Sequence, residues 1–239
     1  MSDQATSPMD IGIIGAGNIG GVLARHLTEL GHRVEVANSR GPETLAVLER
    51  ESGATAVDAA QAARGKQVVV VTIPQARVPD LPADLFADAP DDLVVVDTGN
   101  YYPRQRDGRI QAIESGTPES AWVSEQLGRP VVKAFNNIYY SSLDSKGRPA
   151  GSEDRIALPV AGDDPAAKAT VMGLVDALGF DPVDAGQLGE SWRQQPGSPV
   201  YTADRDAAGV VEGLAAASAE RTADFTATDE SPGTMENPS

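Results

Sequence analysis

A glycine-rich turn between an apolar strand and an amphipathic helix constrains this chain more than any other feature. Residues 15–20 read GAGNIG, the pattern G-x-G-x-x-G, and follow the apolar run DIGII. In a β-α-β unit the first glycine permits a tight turn, the second lets the backbone approach a pyrophosphate, and the third lets helix and strand pack closely. The start of the helix adds unpaired N–H groups that favour an anion. We therefore predict a dinucleotide-binding turn made by Gly15, Ala16, Gly17, Asn18, Ile19 and Gly20.

Strand and helix patterns alternate along most of the chain and predict one fold class. Helices are expected near residues 18–30, 42–53, 77–87, 119–127, 165–178 and 205–219. Between them, the strand candidates are DIGII, RVEVA, QVVVVTIP, DDLVVVDTGN, PVVKAF, RIALPVAG and FDPVD. Continuous apolar runs such as QVVVVTIP are typical of strands buried on both faces of a parallel sheet. The expectation is an α/β fold of the Rossmann type, a doubly wound parallel sheet with a small C-terminal lobe.

The predicted domain limits follow from composition. Residues 1–8 are polar and predict a flexible leader, and residues 9–221 hold the nucleotide-binding domain, whose C-terminal lobe begins near residue 156. Residues 222–239 are polar and contain proline and glycine, which predicts a disordered acidic tail.

Charge and cysteine content exclude several functional classes. The 239 residues include 35 acidic and 19 basic side chains, a formal net charge of -16, so the average field repels nucleic acid and anionic membrane surfaces. No apolar segment reaches the ~20 residues of a membrane helix. There is no cysteine, which excludes disulfides and thiolate metal sites and agrees with a cytoplasmic location. We recognise no metal-ligand set, and the expected partner is a small molecule.

The segment after the second strand predicts which dinucleotide is bound. An Asp or Glu about 20 residues beyond the glycines holds the ribose hydroxyls of NAD, but this chain has Asn38, Ser39 and Arg40 there. A guanidinium can form a bidentate pair with a 2′-phosphate, and a serine hydroxyl can donate to it. Thr44, at the start of the next helix, is a further candidate donor. These residues indicate NADP(H), against the alternative that Arg40 is a solvated surface charge.

The motifs IGIIGAGNIGGVLARHL, VEVANSRGPETL, VVTIP, DTGNYYP, VVKAFNNI and VAGDDP together are similar to one family. The chain resembles the NADP oxidoreductases dependent on coenzyme F-420, an 8-hydroxy-5-deazaflavin. The resemblance runs from about residue 10 to 205 and implies hydride transfer, a homodimer, and coenzyme F-420 as a possible co-substrate. It also implies that NADP contacts the glycine turn, Ser39 and Arg40, together with Thr72, Ile73, Pro74 and Asn100.

The carboxyl ends of parallel strands face the ligand crevice, so they predict where the chemistry occurs. This rule brings together residues 72–75, 98–101 and 134–137. Phe135, Asn136 and Asn137 are predicted substrate contacts, with Trp192, Arg193 and Tyr201 in the later loop. Turn-forming asparagines and an exposed loop anchor are the alternative readings. Lys133 is the candidate proton donor, although a structural lysine is the more ordinary case.

Three functions remain open at this point. The first is hydride transfer between NADPH and a deazaflavin-like or other small acceptor, in which the cofactor supplies the chemistry. The second is reduction of a small carbonyl or imine, which needs a proton donor such as Lys133 or Tyr101. The third is a non-catalytic NADPH-sensing protein. Neither His26 nor His32 is expected at the site, because both lie on elements behind the cofactor.

Overall fold

A computed structural model describes residues 7–239, and the first six residues of the predicted leader lie outside this range. The main sheet has six parallel strands in the order β3-β2-β1-β4-β5-β6. In chain order, these strands are β1 (Asp10–Ile14), β2 (Arg33–Ala37), β3 (Thr55–Ala56), β4 (Val68–Val71), β5 (Val94–Asp97) and β6 (Val132–Lys133). The order reverses between β1 and β4, which makes a ligand crevice at their carboxyl ends. The predicted Rossmann-type fold is confirmed.

Helices cover both faces of the sheet because the strand side chains are apolar on both sides. Every residue of β4 is buried. On one face Val68 and Val70 pack with Leu23 and Leu27, and on the other Val69 packs with a second group of helices. The helices are α1 (Asn18–Glu29), α2 (Ala46–Ser52), α3 (Ala59–Ala63), α4 (Gln111–Glu114), α5 (Glu119–Leu127), α6 (Tyr140–Ser145), α7 (Pro165–Ala177) and α8 (Ala207–Ala215).

Most predicted helices are present, and one differs. The helix expected near residues 77–87 is only a 3-10 helix, Gln75–Asp80, which contains Pro79. Proline has no backbone N–H and clashes with the preceding turn, so an α-helix cannot extend through this segment. The sequence analysis also missed β3, α3, α4 and α6, which are all short.

The C-terminal lobe has its own two-stranded parallel sheet rather than continuing the main one. Strands β7 (Ala157–Val160) and β8 (Asp181–Asp184) pair with each other, and α7 connects them. The lobe joins the main sheet through an antiparallel bridge between Lys133 and Ala161, with N···O distances of 2.8 and 3.1 Å. This bridge fixes the lobe beside the end of β6.

The tail, which the sequence predicted to be disordered, lies against the domain in this structure. A 3-10 helix, Ala223–Phe225, places the Phe225 ring 6.1 Å from the Tyr102 ring centroid. Ala227 is buried, and its N–H donates to Glu114 at 3.1 Å. The average polarity of the segment conceals these apolar anchors, which explains the difference from the expectation.

Within residues 7–239, none of the helices has both the length and the apolar character needed to span a membrane.

Candidate functional site

The glycine turn has the geometry that a pyrophosphate requires. Gly15 has a φ of 115°, and a Cβ placed there would lie 2.2 Å from the Thr72 carbonyl oxygen. A Cβ at Gly20 would lie 1.9 Å from the Gly15 oxygen, so this position also accepts only glycine. By contrast, a Cβ at Gly17 would meet nothing within 4 Å. The open space above Gly17 and the uncapped start of α1 fit a bound phosphate group.

A cavity of about 600 Å³ extends from this turn to the end of β2. Its lining includes Ser39 and Arg40, both exposed, as well as Asn38. We call this cavity the adenosine half. Among the salt bridges of residues 7–239, Arg40 has no acidic partner within 4 Å, so its guanidinium is available to a phosphate. Arg77, which the sequence analysis missed, also lines the adenosine half and pairs with Asp80 at 3.1 Å.

Asn38 and Thr44 shape the loop that presents Arg40. The Asn38 side-chain oxygen accepts the Arg40 N–H at 2.9 Å, and its amide donates to Thr44 Oγ1 at 2.9 Å. The Thr44 hydroxyl donates to the Gly41 oxygen at 2.7 Å. Thr44 therefore stabilises the loop, because its only hydroxyl hydrogen is already donated; the predicted role as a phosphate donor does not fit this geometry.

A second cavity, of about 390 Å³, lies at the ends of β4, β5 and β6 and is called the acceptor half. The two halves share part of their lining: Gly17, Thr72, Ile73 and Pro74. They therefore form one continuous cleft across the carboxyl edge of the sheet. The remaining acceptor-half residues are Asn18, Ile19, Thr98, Gly99, Asn100, Tyr102, Arg106, Phe135, Asn136, Ile138, Tyr139, Tyr140, Tyr201 and Thr202.

Two asparagines connect the strand ends at the floor of the acceptor half. The Asn100 amide donates to the Asn136 carbonyl at 2.8 Å, and the Asn136 amide donates to Asn100 Oδ1 at 3.1 Å and to Gln194 at 2.7 Å. Between β6 and Asn136, Phe135 has a positive φ of 61° and is 2% exposed. The predicted residues Asn100, Phe135 and Asn136 are thus brought together at the cleft.

Asn137 lies beside the cleft rather than in its lining. Its carbonyl accepts the Thr202 N–H at 2.7 Å, and its amide donates to the Val200 carbonyl at 3.4 Å. Asn137 therefore holds the segment that carries Tyr201, and the structure gives it this role instead of the predicted substrate contact.

Tyrosines dominate the wall of the acceptor half. The hydroxyl groups of Tyr102 and Tyr201 hydrogen-bond to each other, and Phe225 from the tail packs on both rings, 6.4 Å from the Tyr201 centroid. The Arg106 guanidinium lies 5.1 Å from the Tyr102 ring centroid. Burial raises the pKa of both Tyr102 and Tyr201. Sequence reasoning named Tyr201 but missed Tyr102 and Arg106.

Lys133 does not reach the cleft. Its side chain is 1% exposed, and Nζ contacts Asp97 Oδ2 at 3.2 Å and donates to the Gly99 oxygen. Tyr101 is also buried, and its hydroxyl is bound by Gly108, Glu114 and Ile110. The geometry therefore removes both predicted proton donors from the site.

Trp192 and Arg193 also lie outside the cleft. Trp192 lines a separate cavity with Glu114 and Arg221, and Arg193 pairs with Glu190 at 2.6 Å. The 3-10 helix Leu188–Gln194 places this part of the loop away from the acceptor half. The predicted acceptor contact of Trp192 is not supported by its position.

The histidines lie away from the cleft lining, as expected. His26 on α1 contacts Asp144 near the end of α6 at 3.2 Å. His32 is buried in the turn before β2, where its Nδ1 accepts the Met9 N–H at 3.1 Å.

Comparison with known proteins agrees with this site. The model of the family described as "NADP oxidoreductase coenzyme F420-dependent" matches residues 10–101, which include the glycine turn, Arg40 and the first two strand ends of the acceptor half. A structure of protein SMa0349 from Sinorhizobium meliloti is 30% identical and has a TM-score of 0.70, with 83% of this chain and 96% of that chain covered. The chain belongs to this oxidoreductase family. Its Rossmann-type fold is the fold of these NADP oxidoreductases.

The chain is also similar to two further proteins. A candidate F420-dependent NADP reductase from Arthrobacter sp. FB24 is 25% identical, with a TM-score of 0.58, and the match covers 75% of this chain and 86% of that one. The protein YjhV of Escherichia coli (strain K12) is 52% identical over 66 residues, 28% of this chain. The match spans about half the length of YjhV, 48%.

Proposed function

We propose that this family member transfers hydride between NADP(H) and a small planar acceptor, with a deazaflavin such as coenzyme F-420 as the leading acceptor class. The observation that carries the proposal is the shared lining of the two cavities. Gly17 and residues 72–74 border both halves, so one extended ligand can lie across the edge of the sheet with its ends in different environments.

The adenosine half suits the phosphate-rich end of NADP(H). The glycine turn gives room for the pyrophosphate, and Arg40 offers an unpaired guanidinium where a 2′-phosphate would lie. The carboxylate that holds the ribose hydroxyls in NAD-binding proteins is absent from residues 38–40. These features favour NADP(H) over NAD(H).

The acceptor half suits a flat ring. When bound, NADP(H) supplies the hydride, and the protein supplies binding and orientation. The cavity of about 390 Å³ is walled by the side chains of Tyr102, Tyr139, Tyr140 and Tyr201. Aromatic side chains prefer offset stacking or edge-to-face contact with other rings. Holding two rings in contact supplies much of a bimolecular rate enhancement.

A screen of NADPH oxidation tests the proposal. The acceptors are coenzyme F-420, 5-deazariboflavin, FMN, the cyclic imine 1-pyrroline and a small aldehyde. We expect turnover with a deazaflavin and much less with FMN. NADPH deuterated on one face of the nicotinamide should deliver its label to the product. Tight NADPH binding without turnover of any acceptor would contradict the proposal and favour an NADPH-sensing protein.

Reduction of a small carbonyl or imine is the second candidate, and one observation favours it. Of the four tyrosines that line the acceptor half, Tyr102 and Tyr201 are hydrogen-bonded to each other within it, and their hydroxyls can serve as proton donors. Turnover of 1-pyrroline or the aldehyde in the same screen, with the deazaflavins inactive, would select this function.

A homodimer and a cytoplasmic location are part of the proposal, because the family resemblance implies the first and the absence of cysteine agrees with the second. Light scattering of the purified protein tests the first, and cell fractionation tests the second.

A further inference from the structure

Two phenols from distant parts of the chain meet in the acceptor half. Tyr102 follows the end of β5, and Tyr201 follows the C-terminal lobe, 99 residues later. Their hydroxyl oxygens are hydrogen-bonded to each other, and both side chains line the cavity. The cleft therefore holds a hydroxyl pair that no single segment could supply.

One hydrogen of this pair has no acceptor among residues 7–239. Two hydroxyls carry two hydrogens, and a single hydrogen bond between them uses only one. Within residues 7–239, neither hydroxyl makes another protein hydrogen bond. The second hydrogen is therefore available to a ligand in the cleft.

The surroundings keep the pair protonated. Burial raises the pKa of Tyr201, and the neighbouring Tyr102 raises it further. Burial also raises the pKa of Tyr102, while Tyr201 and Arg106 oppose this effect and Glu119 and Asp107 reinforce it. Both phenols are thus neutral near pH 7, which makes them donors of a proton rather than acceptors.

The other ionisable groups near the cleft are less suitable donors. Lys133 and Tyr101 are buried outside the cleft lining, where they hydrogen-bond to other groups. Arg106 is permanently charged and bonds to Asp107 and the Asn100 oxygen. Tyr139 and Tyr140 are 56% and 49% exposed, so they lie at the solvent-exposed mouth of the cleft.

We propose that the Tyr102–Tyr201 pair donates the proton that accompanies hydride transfer to the acceptor. The inference rests on the proposed function and deepens it. The hydride adds to the carbon of a C=N or C=O unit or, in a deazaflavin, to a ring carbon conjugated with such a unit, and the π electrons move to the heteroatom. The heteroatom then takes the phenol proton, and the O–H bond breaks. The resulting phenolate regains a proton from the other phenol, and water restores that one.

The test uses single and double Phe substitutions in the full-length protein, with the acceptor that the wild type reduces fastest. General acids contribute about 100- to 10,000-fold to rates. We expect Tyr102→Phe/Tyr201→Phe to lower kcat by about 100-fold or more, with the Kd for NADPH within 2-fold of wild type. The wild type should show a solvent deuterium isotope effect on kcat that each single variant changes.

The matched control is Tyr101→Phe, which removes a phenol hydroxyl one residue away from Tyr102 but outside the cleft, and should leave kcat within 2-fold.

A binding measurement adds a readout that does not depend on turnover. The probe is 2-pyrrolidinone, a non-reducible cyclic amide whose carbonyl accepts a hydrogen bond, titrated calorimetrically into the protein with NADP⁺. Loss of one hydrogen bond predicts affinity about 3- to 10-fold weaker for the double variant and no change for Tyr101→Phe.

The outcomes separate this inference from the proposed function. If the wild type turns over an acceptor and the folded double variant retains kcat within 3-fold, the proton-donor role is wrong while the proposed function stands. If none of the acceptors in the screen supports NADPH oxidation by the wild type, the proposed function fails, and the donor role fails with it.

Discussion

The two halves of the cleft are built in different ways. The adenosine half takes most of its chemistry from residues 15–40, where the glycine turn, Ser39 and Arg40 follow one another along a single β-α-β unit. The acceptor half is assembled from β5, β6, α6 and the segment after the C-terminal lobe, with the tail packed behind it. The first half depends on local backbone geometry, and the second depends on tertiary packing. Substitutions should therefore be able to affect one half of the cleft without affecting the other.

The largest expected effect is the loss of stability when the buried ion pair beneath the acceptor half is broken. Asp97 and Lys133 are each 1% exposed, and Asp97 also accepts from Ser120 Oγ at 2.6 Å. Lys133→Met leaves the carboxylate buried without its cation, which typically costs about 3 to 5 kcal/mol. We expect that loss in the free energy of unfolding, measured by urea denaturation.

A surface pair provides the matched control for this prediction. Lys146 contacts Asp204 at 2.8 Å, but its side chain is 52% exposed. Lys146→Met should cost no more than about 1 kcal/mol, because water solvates exposed charges well. If both lysine variants lost the same small amount of stability, the buried pair would not be what supports the acceptor half.

The next effect isolates the adenosine half. Arg40→Ala removes a charged hydrogen-bond donor worth about 1.5 to 3 kcal/mol, so NADPH affinity should fall about 10- to 100-fold while NADH affinity barely changes. Fluorescence titration with each cofactor measures this. The control is Arg50→Ala, because Arg50 is an exposed arginine in the last turn of α2. This substitution should leave both affinities unchanged. Equal losses for NADPH and NADH in Arg40→Ala would contradict the 2′-phosphate assignment.

The same contrast explains how much the sequence could predict. The glycine turn and Arg40 were predictable, because short-range rules fix both their positions and their chemistry. Tyr102 follows the strand-end rule too, yet it lies one residue beyond the predicted range 98–101. Trp192 and Tyr201 come from one loop, and sequence alone could not say which faces the cleft. A 3-10 helix with a capping box formed by Gln187 and Glu190 decides it.

Lys133 shows a second limit of sequence reasoning. A lysine in a buried strand indicates that its amine has a special environment, but the sequence does not name the partner. Here the partner is Asp97, the last residue of the adjacent strand β5, and the register between β5 and β6 places the two residues opposite each other. That pairing depends on strand order, which local patterns do not determine.

A smaller effect tests whether the tail belongs to the acceptor half. Phe225 packs on the rings of Tyr102 and Tyr201, and aromatic pairs contribute about 0.5 to 1.5 kcal/mol. Phe225→Ala should therefore lower Tm by about 2 to 4 °C in a chain of this size. It should also raise the acceptor KM while leaving the NADPH Kd unchanged. Met235→Ala, at a position that is 67% exposed, is the control. An unchanged Tm and acceptor KM in Phe225→Ala would restore the expectation of a dispensable tail.

The smallest effect uses pH, because two buried groups have pKa values that move in opposite directions. Burial lowers the pKa of His32, in the turn before β2. Below its ordinary value of 6.5 the unfolded chain binds more protons than the native one, so protonation of His32 costs stability as pH falls. Burial raises the pKa of Glu119, beneath the acceptor half, against the opposing charges of Lys133 and Arg221. Above its ordinary pKa of 4.5 the native state binds more protons than the unfolded chain, so Glu119 costs stability as pH rises.

Urea unfolding at pH 7 and pH 5 should show His32→Gln losing less stability on acidification than wild type, and Glu119→Gln losing more. If both variants lost as much unfolding free energy between pH 7 and pH 5 as the wild type does, neither buried group would be linked to folding in this way.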